Sequence, residues 1–262
     1  MTKLDIYHVD AFTSTVFSGN PAAVCVLESW LSDCQLNMIA KENNLPVTAF
    51  LVRNIDQYEI RWITPEYELD LCGHGSLAAS YIIFNCLEPS WQCVTLSSVT
   101  GLLLVKRDHD LITLDFLAKK CEKVEIQFLE QGLGLLPKEI YQYKNERVVA
   151  LYGSEEEVRA LKPDIQRLKQ LSHRGIIVTA PGVEVDFVSR TFYPEKFIYE
   201  DAVTGASHCM LAPFWADRLG KSTLHAWQVS RRGGEIFCEH RNDRVLISGR
   251  AVLYMRGVVR FG

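Results

Sequence analysis

The chain has 262 residues, enough for two domains of ordinary size, and its 48% hydrophobic and 23% charged content is the profile of a globular protein. A formal net charge of −4 argues against nucleic acid or an anionic membrane surface as a partner, since both call for clustered basic residues. No stretch reaches the ~18 consecutive apolar residues of a membrane helix, and the N-terminus lacks the apolar core of a signal peptide, which points to a cytoplasmic protein.

From the N-terminus, Asp5 to Phe12 reads as a strand and Ala22 to Leu27 as another, joined through Gly19-Asn20-Pro21. Asn20 there is either a turn former only or a ligand contact. Ser32, followed three residues on by Gln35, is a capping-box signature. It predicts a helix over Asp33 to Asn43 with Leu36, Ile39 and Ala40 on its buried face. Strands follow at Ala49 to Arg53 and at Tyr58 to Thr64. In the second half Val148 to Tyr152 reads as a strand, Ser154 with Glu157 repeats the capping-box signal, and a helix from Glu155 to about Leu161 is stopped by Pro163.

The two halves repeat each other. In the first, the strand Glu59 to Ile63 leads through Thr64-Pro65-Glu66 to the turn Cys72-Gly73-His74-Gly75-Ser76, which opens the apolar run Leu77 to Phe84. In the second, Val185 to Ser189 leads through Tyr193-Pro194-Glu195 to the turn Thr204-Gly205-Ala206-Ser207, which opens Cys209 to Trp215. Gly73 and Gly101 stand 28 residues apart, as do Gly205 and Gly233. Each of these later glycines precedes a hairpin, through Asp108-His109-Asp110 and through Arg241-Asn242-Asp243. Four elements in one order and at matched spacing indicate a duplication. The break near Leu117 to Lys123 divides the chain into halves 1–117 and 118–262, with the last strand able to pack back on the first half.

A helix opened by glycine presents unpaired backbone N–H groups at the positive end of its dipole, and glycine lets a ligand approach the backbone closely. Gly73, Gly75 and Gly205 therefore either make tight turns only or help to hold a carboxylate. His74, inside the first turn, has a side chain suited to proton transfer near neutral pH. Asp201, with Glu200 before the second turn, is either a helix-start carboxylate or a polar group of a site. The eight cysteines (Cys25, Cys34, Cys72, Cys86, Cys93, Cys121, Cys209 and Cys238) form no Cys-x-x-Cys pair and no zinc-like spacing, so no metal is expected and most read as small buried hydrophobes. Cys72 is set apart by its place at a helix start, where a thiol's pKa can be lowered.

These residues also carry a family resemblance. Asp10-Ala11-Phe12 with Gly19-Asn20-Pro21-Ala22-Ala23-Val24, Asn44-Leu45 with Thr48-Ala49-Phe50, Thr64-Pro65 with Leu71-Cys72-Gly73-His74, and Glu200-Asp201 with Thr204-Gly205 match in order along nearly the whole chain. So does the late run from His225-Ala226-Trp227-Gln228 to Arg232-Gly233-Gly234-Glu235. The chain resembles the phenazine-biosynthesis-like (PhzF-like) proteins. The resemblance implies an α+β diaminopimelate-epimerase-like fold: two pseudo-symmetric domains, each a curled sheet around a central helix, with the site in the cleft between them. It also implies an isomerase or epimerase that moves a proton on a small carboxylate-bearing metabolite, with no cofactor, and a homodimer. The family member of phenazine biosynthesis isomerises a dihydro-hydroxyanthranilate. Carried over, His74 contacts the substrate, Asp201 is a second polar group, and Gly73, Gly75 and Gly205 supply backbone donors. Asn20 lies beside the pocket, and Ser76, Ala206 and Ser207 belong to the same two turns.

Two positions depart from the family pattern. Where the family places its proton-shuttling glutamate, this chain has Val47, which can neither take nor give a proton. The nearest carboxylate along the chain is Glu42, five residues earlier. Cys72 stands where the related epimerases carry a catalytic cysteine, and a thiolate there is the alternative base. The family's Thr-Gly-Ser-Ala reads Thr204-Gly205-Ala206-Ser207 here, which removes one hydroxyl from its expected place. Two readings follow, an active isomerase or a small-molecule-binding protein that has lost its shuttle. A nucleotide-dependent enzyme is set aside, because neither a P-loop nor a dinucleotide fingerprint is present.

Overall fold

A computed structural model describes residues 2–171, 173–195 and 199–261. The chain forms two compact units, Met1–Phe116 with Leu246–Gly262, and Leu117–Val245. Among the described residues no helix is long and apolar enough to cross a membrane.

The first unit begins with β1 (Thr2–Ala11) and β2 (Asn20–Leu27), which pair antiparallel. Helix α1 (Asp33–Asn43) crosses to β3 (Thr48–Asn54), parallel to β2. Its start is a complete capping box: Gln35 N–H donates to Ser32 Oγ and the Ser32 N–H donates to Gln35 Oε1 at 3.2 Å. Leu36, Ile39 and Ala40 are buried, packed with Phe50 and Val52 of β3. Strand β4 (Gln57–Ile63) returns antiparallel to β3, with the alternating residues Tyr58, Ile60 and Trp62 buried, and the short β5 (Glu68–Leu69) folds back on its end. Helix α2 (Gly73–Ile82) runs on into a π-helical turn, Ile83–Leu87. Every residue from Gly73 to Ser80 is buried, and a helix small or apolar on all sides is a core helix. Strand β6 (Cys93–Ser98) then pairs parallel with β4, β7 (Gly101–Asp108) antiparallel with β6, and β8 (Leu111–Leu117) antiparallel with β7.

The second unit opens with β9 (Glu122–Lys123) and α3 (Leu129–Leu133), then repeats the pairing order of the first. Strand β10 (Glu139–Tyr143) is antiparallel to β11 (Arg147–Leu151). The helices α4 (Glu155–Ala160) and α5 (Ile165–Lys169) cross to β12 (Gly175–Pro181), parallel to β11. Strand β13 (Phe187–Phe192) is antiparallel to β12, and β14 (Glu200–Asp201) folds back on β13. Helix α6 (Gly205–Leu219) takes the place that α2 has in the first unit. Strand β15 (Thr223–Gln228) is parallel to β13, β16 (Gly234–Arg241) antiparallel to β15, and β17 (Arg244–Gly249) follows the turn at Asn242 and Asp243.

Two details of this unit differ from the sequence expectation. At α4, Ser154 Oγ accepts from Glu157 N–H, but the Glu157 carboxylate takes the Gly153 N–H at 2.7 Å instead of that of Ser154, so only half the box forms. The helix itself ends where expected, at Ala160 with Leu161 as its extended C-cap, two residues ahead of Pro163. Strand β13 starts at Phe187, since a turn closed by Gly182 N–H on Asp186 O occupies the residues before it. Pro213 sits inside α6 without breaking it. A proline removes the donor to the carbonyl four residues back, here Cys209 O, and that carbonyl accepts from Lys119 N–H at 2.9 Å.

Strand β18 (Ala251–Phe261) returns to the first unit and pairs antiparallel with β1 along its length, Thr2 opposite Phe261 and Ala11 opposite Ala251, with a bulge at His8/Val9. Strand β1 is thus central, flanked by β2 and β18.

Candidate functional site

The first turn is built by β3, β4 and α2. Cys72 is the N-cap of α2, and its own side chain makes no capping hydrogen bond. Its carbonyl accepts both the Ser76 N–H, at 3.0 Å, and the Ser76 hydroxyl, at 2.6 Å. Ser76 thus turns onto its own helix and is fully buried. Cys72 Sγ lies 3.5 Å from Nδ1 of His74 and 3.9 Å from Nε2. Both side chains are largely covered, 6% and 9% exposed. A thiol and an imidazole at this distance can share a proton.

Gly75 faces inward. A Cβ there would lie 2.9 Å from Trp62 Cδ1, 3.1 Å from Val47 Cγ1 and 3.2 Å from Cys72 Sγ. The glycine is required by packing, and Val47 and Cys72 border the same α-carbon. Val47 is fully buried at the entry to β3, where its carbonyl accepts the Ala23 N–H at 3.0 Å. The position at which a family glutamate is expected therefore stands beside the thiol. Glu42, by contrast, is exposed on α1. Asn20 opens β2 opposite Ala11 and is fully buried, preceded by Gly19 at φ +66.

The second turn is clamped at Thr204, the N-cap of α6, which also lacks a side-chain cap. Its N–H donates to Gln228 Oε1 at 2.8 Å and its hydroxyl to Asp201 Oδ2 at 2.7 Å. Gln228, fully buried on β15, also donates to the Asp201 carbonyl at 2.8 Å. Asp201 is half-buried at the end of β14. Ser207 Oγ is turned inward, 3.1 Å from Thr191 Oγ1, and Ala206 is half-buried. The structure thus groups Cys72, His74, Gly73, Gly75, Ser76 and Val47 at one helix start, and Asp201, Gly205, Ala206 and Ser207 at the other.

Sequence reasoning passed over two residues here. Gln228 stands in the late run that matches the family but is given no role there. His208 falls between the second turn and the apolar run Cys209 to Trp215 and is given no role, although the repeat aligns it with Ser76, each three residues after the opening glycine. His208 Nδ1 is 2.9 Å from Thr204 O, and burial pushes its pKa down to about 4. A separate cavity of about 650 Å³ lies along the other end of α6, bordered by Met210, Pro213, Phe214 and Arg218 with Cys121 and Tyr141. None of the expected site residues lines it.

The profile of the family described as phenazine biosynthesis-like protein matches residues 9–257. An uncharacterised isomerase of Pseudomonas aeruginosa is 45% identical over 259 residues, covering 98% of this chain and 99% of that protein. A phenazine biosynthesis protein of the PhzF family from Enterococcus faecalis, of known crystal structure, superposes with a TM-score of 0.96 at 42% identity, covering 99% of this chain and all of that one. A hydroxyproline epimerase of Agrobacterium vitis shares the fold, with a TM-score of 0.62 at 12% identity over 98% of this chain and 92% of that one. The chain belongs to the phenazine-biosynthesis-like family and has its α+β fold.

Proposed function

We propose that this protein is a cofactor-independent isomerase that moves a proton on a small carboxylate-bearing metabolite, with Cys72 and His74 as the proton-transfer pair. The contact of 3.5 Å between Cys72 Sγ and His74 Nδ1, at the start of α2, carries the reading. As the thiolate, Cys72 takes the proton from a substrate carbon and becomes the thiol. The imidazolium of His74 gives a proton at the carbon where the rearranged electron pair ends, so the pair finishes as thiol and neutral imidazole and resets by proton exchange between the two. The N–H groups at Gly73 and those at Gly205 each suit a carboxylate; Asn20, Gly75 and Ser76 belong with the first turn, and Asp201, Ala206 and Ser207 with the second. The isomerase name of the Pseudomonas relative supports the reaction class. The same reading carries a homodimer, checked by ultracentrifugation, and a reduced cytoplasmic setting, which suits eight cysteines none of which is in a disulfide.

The test is incubation in heavy water with a panel of small carboxylates, dihydro-hydroxyanthranilate included, followed by NMR for deuterium at carbon. Exchange is expected, and Cys72→Ala or His74→Ala should lower it by about 10²-fold or more, the usual worth of acid–base catalysis. A second reading rests on the buried Val47: a protein that binds the carboxylate without turning it over. Ligand-induced shifts without exchange, together with activity created by Val47→Glu, would select it.

A further inference from the structure

We propose that His208 is a positioning residue of the second turn: protonated at Nδ1, its ring clamps the Thr204 carbonyl and so sets the direction of the N–H groups that open α6. This rests on the reading above, in which those N–H groups face the substrate's charge.

The Nδ1 atom stands 2.9 Å from Thr204 O. A carbonyl oxygen only accepts, so the proton is on Nδ1 and Nε2 is left as an acceptor. Nε2 is buried and meets no hydrogen-bond partner among the described residues, so among them the bond to the N-cap carbonyl is the ring's one polar tie. The ring lies tilted 5.8 Å from the Phe187 ring, which in turn stacks on Trp215 at 5.6 Å. It is therefore wedged between the helix and β13 with little room to turn. Its depressed pKa keeps it neutral near pH 7, so a single proton remains on the nitrogen that faces the carbonyl.

With His208 included, all three polar groups of Thr204 are held: N–H by Gln228, hydroxyl by Asp201, carbonyl by His208. The first unit arrives at the same device with a different side chain, for Ser76 donates to the carbonyl of the N-cap Cys72 at 2.6 Å. Two unlike residues at matched positions, each bonded to the N-cap carbonyl, mark a geometric requirement and not a property of histidine. Neither side chain points past the helix start toward solvent, so each acts through the turn.

The experiment reads the wild-type protein first. Nitrogen-15 NMR of His208 should show Nδ1 protonated and Nε2 bare, and the opposite tautomer would overturn the proposal. Three variants follow: His208→Asn places an amide donor near the Nδ1 position, His208→Gln reaches toward Nε2, and His208→Leu fills volume only. Amide exchange is measured at Thr204 and Ser207, whose N–H groups are bonded to Gln228 Oε1 and Thr204 O. His208→Asn should stay within about 3-fold of wild type, while the Leu and Gln variants exchange about 10-fold faster, the worth of one hydrogen bond. Equal loosening in Asn and Leu would also overturn it. On a carboxylate substrate, His208→Leu should raise KM about 10-fold with a smaller change in kcat, and His208→Asn should rescue it. Tautomer and exchange need no substrate. If both come out as expected while no carboxylate is bound, the functional reading fails and the clamp stands.

Discussion

Gly75 shows how far a residue's role depends on partners that are distant in the chain. From the sequence alone it is a glycine in a helix-opening turn, available to a ligand. In the fold its α-carbon is closed in by Trp62, Val47 and Cys72, which come from β4, the entry to β3 and the N-cap of α2. Gly75→Ala should therefore destabilise the protein by about 1–3 kcal/mol through overpacking. Since Val47 Cγ1 is one of the atoms in the way, Gly75→Ala with Val47→Ala should cost less than the two changes summed, read from urea midpoints. Strict additivity would mean that the two side chains do not meet. Cys72 and His74 were legible because they are two residues apart and share a local motif. Gln228 was not, because it acts on Thr204 and Asp201 from a strand whose pairing partner is non-local. His208 was hidden for another reason: its helix is apolar around it, and periodicity cannot tell a ring that bonds a carbonyl from one that only fills space.

Among the elements, the helix starts separate what a short sequence window decides from what it leaves open. At α1 both bonds of the capping box lie within Ser32 and Gln35, and the signature alone locates the helix. Ser32→Ala should cost about 1 kcal/mol, measured as a lowered urea midpoint for the chain. At α4 the same signature is present, but the Glu157 carboxylate prefers the Gly153 N–H, one residue further out. Which of two adjacent donors wins depends on how the chain enters the helix from β11, and the pattern does not contain that. Pro213 is a similar case. On local rules it should end α6, yet the helix continues to Leu219 because the carbonyl it orphans, that of Cys209, finds Lys119 N–H, 90 residues earlier in the chain. The repeat itself was legible from spacing alone, since pairing order and glycine positions survive where side chains have diverged.

For the molecule as a whole, pH acts most strongly through the second unit. His208 has an ordinary pKa of 6.5 when unfolded and about 4 when folded, with burial as the cause. Between those values the unfolded chain binds a proton that the folded chain refuses. Stability is then full above pH 6.5 and falls by up to about 3 kcal/mol as pH drops to 4. Glu139 adds to the loss lower down: hydrogen bonds from Tyr141, Lys123 and Arg218 hold its carboxyl at about 2, so its contribution is present above pH 4.5 and is lost as pH falls toward 2. Denaturation midpoints at pH 7, 5.5 and 4.5 should decline in the wild type and decline less for His208→Asn, in which His8, its pKa also lowered by burial, still titrates. The path of the chain bears on biosynthesis in another way. The second unit is one unbroken stretch, whereas the first lacks β18 until the second has been made. On the ribosome, β1 must wait with one edge bare through the synthesis of more than a hundred residues, exposed to any strand it meets. The half that is translated first is the half that can be finished only last.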